Sequence, residues 1–136
     1  MKTKRLLDSY ALLAYLNGEK GAERVRALLA DAEKTGQPLL MNEINIGETY
    51  YILARARGRD KADYFLDSIF QALPISPLSN DLPSVVAAAT IKADHPLSFA
   101  DCFAAATAIR EGAILVTGDA EFRAVEGDVK IEWLGA

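Results

Sequence analysis

Short apolar runs alternate with stretches of helical periodicity along this 136-residue chain, and that alternation admits few folds. KRLL (4–7), PLLM (38–41), PIS (74–76), AILV (113–116) and VKIEWL (129–134) have the length and apolar content of short strands. PLLM reads either as a strand or as the approach to a long helix from about Asn42 to Arg57. The segments between them repeat on a helical period. Leu12, Leu13 and Leu16 fall on one face after the first strand, and Val25, Leu28 and Leu29 follow in a second helix. In ADYFLDSIFQAL the spacing turns Tyr64, Phe65, Ile69 and Leu73 inward. SNDLPSVVAAATIKAD carries a cap at Asn80 or Asp81 and a proline early in its helix, and FADCFAAATAIREG stops at Gly112. Strands alternating with helices imply a parallel sheet covered on both faces. With no linker, repeat or low-complexity segment, residues 1–136 are expected to form one α/β domain.

Composition narrows the functional classes. The chain is 51% hydrophobic and 25% charged, a globular balance. No apolar run approaches the roughly 20 residues needed to cross a bilayer. Asp8 interrupts the apolar stretch near the start, so that stretch is not read as a signal peptide, and a cytoplasmic protein is expected. One cysteine excludes an internal disulfide framework or a cysteine-based metal cluster. A net charge of −4 argues against gripping nucleic acid by bulk electrostatics.

The candidate chemistry lies in four carboxylates placed where elements begin or end against apolar sequence. They are Asp8 in RLLDSYALL, Glu48 in MNEINIGETYYIL, Asp101 in LSFADCFAAATA and Asp119 in ILVTGDAEF. Carboxylates are costly beside apolar surroundings unless a positive group compensates them. Asp8 and Asp119 follow strands, so both belong at the carboxyl edge of the sheet, where α/β proteins form their crevices. Asp101 opens a helix and Glu48 lies one or two turns into another, and helices that follow strands start on that same edge. A shared divalent cation is the simplest compensator. Oxygen ligands with neither cysteine nor a histidine cluster suit a hard ion, Mg²⁺ or Mn²⁺.

Each acid also has an ordinary structural reading. Asp8 can cap the helix that begins at Ser9. Ser98 to Asp101 fits a capping box, Asp119 can cap the turn 120–123, and Glu48 can face solvent. Glu48 is nevertheless flanked by Ile46, Thr49, Tyr50, Tyr51 and Ile52 rather than by a polar face. Glu43, five residues earlier, falls on a different face of the helix. His95 reads as a loop residue and Cys102 as part of an alanine-rich core.

In order and context, LLDSYALLAYL, NIGETYYILAR, LSFADCFAAATA and LVTGDAEF resemble the motifs of PIN domains, particularly the VapC-like toxins of prokaryotic toxin–antitoxin pairs. The resemblance spans nearly the whole chain, and its specificity lies in the ordered combination. It implies a three-layer α/β sandwich whose central, mostly parallel sheet is flanked by helices. It also implies a Mg²⁺- or Mn²⁺-dependent ribonuclease with Asp8, Glu48, Asp101 and Asp119 as catalytic metal ligands. Ser9 and Thr117 match the small hydroxyl residues that bond the acids or their waters, and Glu121 stands as an outer partner of Asp119.

Carboxylates around one or two metal ions suit hydrolysis of phosphodiesters. Among the basic run Arg55, Arg57, Arg59 and Lys61, Arg55 is seven residues beyond Glu48 on the same face and is the candidate phosphate contact. Arg110 and Arg123 rank below it. The sequence displays no aromatic platform for bases. From the resemblance come RNA as substrate, a homodimer, and an antitoxin whose C-terminal segment lies in a groove beside the active site. The run Tyr50, Tyr51, Tyr64, Phe65 and Phe70 supplies either such a surface or core. The competing reading is a non-catalytic PIN-like subunit that binds RNA or protein, against which four intact acids speak. A receiver- or haloacid-type phosphotransfer domain fits poorly, because Asp8 lacks a second Asp two residues on.

Overall fold

Leu6 and Leu7 set the layering. In the first strand, β1 (Arg5–Leu7), they point to opposite faces, and their parallel partners in β4 (Ile114–Thr117) are Leu115 and Val116. Leu7 and Val116 bury into one cluster with Leu12, Val25, Leu28 and Phe65. Leu6 and Leu115 bury into a second with Ala105, Cys102 and Phe122. Two cores on one sheet make three layers.

The computed structural model describes residues 3–135; residues 1, 2 and 136 of the expected domain lie outside that range. β2 (Leu39–Asn42), β3 (Ile75–Leu78) and β5 (Ile131–Trp133) complete a five-stranded sheet in the order β3-β2-β1-β4-β5. Every pairing is parallel. Helices α1 (Ser9–Asn17), α2 (Ala22–Thr35) and α3 (Glu43–Arg57) connect the first strands. Asn42 is at once the last residue of β2 and the cap of α3, its side chain accepting from the Ile44 N–H. The PLLM segment is therefore a strand that passes directly into the long helix.

Next come α4 (Arg59–Tyr64), a π-helical turn (Phe65–Ile69) and the short α5 (Phe70–Ala72). Here one expectation fails. Tyr64 is 61% exposed, whereas Phe65 is 2% exposed. Adjacent helical positions are about 100° apart, so Tyr64 and Phe65 cannot share an inward face, and the wide turn seats Phe65. Past β3, α6 (Leu82–Asp94) is capped by Asp81, which accepts from the Ser84 N–H, with Pro83 in its first turn. α7 (Phe99–Glu111) is buried from Asp101 through Ala108. It lies between α6, α3 and the sheet, and its alanines allow that close approach.

Asn80, freed from capping, pairs with Asn42 through two amide hydrogen bonds of 2.7 and 3.0 Å. Asn42 also donates to Thr107 Oγ1 at 2.9 Å in full burial. These bonds clamp the carboxyl ends of β2 and β3 to α7. Asn42→Ala is expected to cost roughly 2–3 kcal/mol, because it strands buried polar partners, and urea unfolding measures it.

The strand order fixes where a site can form. β1 connects toward β2 on one side and β4 toward β5 on the other. Their carboxyl ends diverge at a topological switch point, the place where open α/β sheets form a crevice. Asp8 and Asp119 follow these two strands.

Candidate metal centre

Asp8 leaves β1 in extended conformation and caps α1, its Oδ1 accepting from the Ala11 N–H at 2.9 Å. Its Oδ2 accepts from the Thr117 hydroxyl at the end of β4, at 2.5 Å. Only 1% of Asp8 is exposed, so it forms the floor of the crevice. Thr117 is fully buried and its Oγ1 accepts in turn from the Asp119 N–H, joining the two strand ends through one hydroxyl.

Asp119 caps a 3-10 turn (Ala120–Val125) by accepting from the Glu121 N–H at 3.0 Å. Asp101 lies in the first turn of α7, where its N–H donates to Ser98 Oγ, and it is 6% exposed. Glu48, half-buried on α3, accepts from the Ser9 hydroxyl at 2.6 Å. Three of the four acids thus do serve as helix-start residues while also facing one another.

The structure draws these groups into a single cleft of about 260 Å³. It is lined by Asp8, Glu48, Asp101, Asp119 and Glu121, with Tyr10 and Ile52 at its margin. Oxygens of Asp101, Asp119 and Glu121 all lie within 4.8 Å of one another. Glu121, expected as an outer partner of Asp119, shares this group of oxygens, and its N–H donates to Asp119 Oδ1. Asp8 and Glu48 line the same cleft, with Glu48 held by Ser9.

Among the described residues, no lysine, arginine or histidine lines the cleft. The effect of that missing compensation is visible in the protonation of the acids. Burial, foremost, pushes the Asp8 carboxyl up to about 7, against the opposing hydrogen bonds from Thr117 and Ala11. The charges of Asp101 and Asp119 raise it further. Asp101 is likewise pushed up to about 7 by burial, then by the negative charges of Asp119 and Glu48. Converging carboxylates with raised affinity for protons also have raised affinity for another cation. The donor set is wholly oxygen, which fits a hard divalent ion.

The other expected residues lie elsewhere. The Arg55 guanidinium packs over the Tyr51 ring at 5.1 Å and lines a separate surface hollow with Tyr50 and Arg59. Seven residues of α-helix carry it about 10 Å along the axis from Glu48, which sharing a face does not offset. Arg110 bonds Ser84 and Glu111, and Arg123 packs over Trp133. Cys102 is fully buried in the alanine-rich core, and His95 follows the end of α6. Tyr51 and Tyr64 are exposed, Phe65 is core, and Phe70 packs partly buried against it.

Sequence reasoning missed Tyr10. Its ring is 43% exposed at the cleft margin and lies over Gly118, where an added Cβ would meet its Cε1 at 2.3 Å. The glycine of TGD was the available signal, but the ring that fills its space is 108 residues away in the chain.

Comparison with known proteins supports this architecture. A family model described as the PIN domain matches residues 5–128. The DNA-bound VapBC structure from Salmonella typhimurium is similar over 96% of this chain and 98% of its own, with a TM-score of 0.72 and 16% identity. VapBC2 from Rickettsia felis, bound to a DNA fragment from its promoter, gives 0.73 and 16%, covering 97% of this chain and 99% of its own. Mycobacterium tuberculosis VapC20, a sarcin-ricin loop cleaving toxin, gives 0.66 and 20%, covering 93% and 98%. No curated protein sequence matches the chain.

Proposed function

This chain belongs to the PIN domain family, and from that premise we propose that it is a metal-dependent ribonuclease hydrolysing RNA phosphodiester bonds at the carboxylate cleft. The observation that carries this reading is the convergence of Asp101, Asp119 and Glu121 oxygens within 4.8 Å in a cleft lined, among the described residues, by no basic side chain. A bound Mg²⁺ or Mn²⁺ supplies Lewis acidity toward a phosphate and lowers the pKa of water. Asp8, Glu48, Asp101 and Asp119 would hold the ion, with Glu121 close enough to Asp101 and Asp119 to join them. Thr117 fixes the rotamer of Asp8 and the backbone of Asp119 together, so the two strand-end acids move as one unit. Ser9 orients Glu48 from the first turn of α1. No side chain is assigned as a covalent nucleophile.

The wider role we assign is that of the toxin of a VapBC-type toxin–antitoxin pair, acting in the cytoplasm as a homodimer and restrained by a cognate antitoxin. The similarity to structures of toxin–antitoxin complexes supports it. Among the described residues, no helix is long and apolar enough to cross a membrane. Arg55 is assigned to a phosphate two helical turns from the cleft, on an RNA long enough to reach it.

The test is cleavage of an end-labelled mixed RNA pool with Mg²⁺, with Mn²⁺ and with chelator, beside Asp101→Asn. Cleavage that needs the metal and disappears in the folded variant is the expected result. Equal inertness of both folded proteins across all metals would favour a binding subunit instead.

A further inference from the structure

The carboxylate cleft continues along α1. A second hollow shares Tyr10, Leu13 and Ile52 with it and ends at Asn17, Glu19 and Lys20. One groove therefore runs from the acids, past an exposed aromatic ring on an apolar floor, to a cationic side chain. Resting on the proposed ribonuclease reading, we infer that Tyr10 is the stacking platform for the base beside the scissile phosphate of single-stranded RNA, with Lys20 meeting a phosphate further along.

Three observations carry this. Tyr10 is 43% exposed although it lines a cleft with a buried centre, so much of the residue is open to solvent rather than filling core. It is seated on backbone: Gly118 leaves the space, and a Cβ there would stand 2.3 Å from Tyr10 Cε1 and 2.7 Å from Cζ. Its hydroxyl makes no hydrogen bond among the described residues, so no internal bond accounts for a tyrosine at this position. A ring packed against backbone and still open to solvent suits a splayed base, and single-stranded RNA is recognised largely through such stacking. The order along the groove, acidic centre where the cation is proposed, then aromatic ring, then Lys20 beside Glu19, follows the order phosphate, base, phosphate of a nucleotide chain. A flanking base bound this way gives preference for unpaired over duplex RNA.

The test uses the full-length protein with Mn²⁺ and an oligoribonucleotide carrying a cleaved bond, together with versions made abasic one position at a time. Tyr10→Leu is expected to lower kcat/KM on the intact oligonucleotide by on the order of tenfold, the usual worth of one stacked base. Tyr10→Phe is expected to retain activity. At one abasic position next to the cut, the wild type loses the same factor and Tyr10→Leu loses nothing more. Gly118→Ala displaces the ring while its backbone stays compatible, and is expected to reproduce part of the loss with unchanged Mn²⁺ affinity by calorimetry. Quenching of 2-aminopurine placed at that position, read with Ca²⁺ in place of Mn²⁺, is expected to need Tyr10.

Equal penalties at every abasic position, or a wild-type kcat/KM in Tyr10→Leu, would overturn the inference while leaving the ribonuclease reading intact. Tyr10→Leu that cleaves normally but escapes an inhibitory peptide segment would also overturn it, reassigning the ring to a protein partner. A wild type that cleaves no RNA would instead remove the reading on which the inference rests.

Discussion

Asp8→Asn is expected to stabilise the metal-free protein at pH 8 while removing its cleavage activity. Asp8 is a buried carboxyl whose protonation is favoured up to about 7, so at pH 8 the fold carries an ionised group in an unfavourable place. That ionisation costs on the order of 3–4 kcal/mol relative to the unfolded chain. Asparagine keeps the acceptor for the Ala11 N–H and can donate to Thr117 Oγ1, but has no charge to desolvate. A rise in Tm of roughly 5–10 °C at pH 8 is expected, shrinking to less than half of that at pH 5 and vanishing only below about pH 4, where the unfolded carboxyl is protonated as well. Activity is expected to fall roughly a hundredfold or more, because the floor of the cation site loses its negative charge. Scanning calorimetry at the two pH values, beside the RNA assay, reads both effects. A variant less stable than wild type at pH 8 would show that Asp8 is compensated in a way the structure does not contain.

The second large effect is a crossing of pH and cation dependence. Asp8 and Asp101 hold protons more tightly in the fold than an ordinary aspartate does near 3.8. Between about pH 4 and 7 the folded chain therefore binds more protons than the unfolded one, and the stability these groups contribute is lost as pH rises through 7. A divalent cation competes for the same oxygens, so its stabilisation grows across that window. At a hundred times its dissociation constant it adds about 2.7 kcal/mol. The Tm of the chelator-treated protein is expected to fall from pH 5 to pH 8, and 10 mM Mn²⁺ is expected to restore it at pH 8 but hardly change it at pH 5. A smaller change accompanies Ser9→Ala, which frees Glu48 from its restraint. Cleavage is expected to drop about tenfold, with Tm within about 2 °C of wild type, as measured by the same assays.

The alternation of apolar runs with helical periods made four of the strands and the parallel sheet legible, while PLLM stayed open between strand and helix approach because β2 passes into α3 without a turn. The layer arrangement follows from Leu6 and Leu7 pointing opposite ways, which two consecutive leucines alone do not reveal. The acids were legible because each stands at an element boundary beside apolar sequence, and the structure draws all of them to one sheet edge. What the sequence concealed depends on contacts between distant segments. Glu121 joins Asp101 and Asp119 through the curl of a 3-10 turn, a detail of capping rather than of pattern. Tyr64 turns outward because it stands about 100° round the helix from Phe65, which takes the inward position. Arg55 shares a helical face with Glu48 but not its depth, since face counting ignores the rise along the axis. Tyr10 meets Gly118 only once β1 and β4 pair.

The most direct test of the cation centre is calorimetric titration of Mn²⁺ into chelator-treated protein at pH 7.5, in buffers of different ionisation enthalpy. The expected result is saturable binding accompanied by proton release, as Asp8 and Asp101 give up the protons they hold near neutrality, and loss of that binding in folded Asp101→Asn. Absence of saturable binding to the folded wild type, or binding of equal strength in Asp101→Asn, would contradict the assignment of these carboxylates as a metal centre.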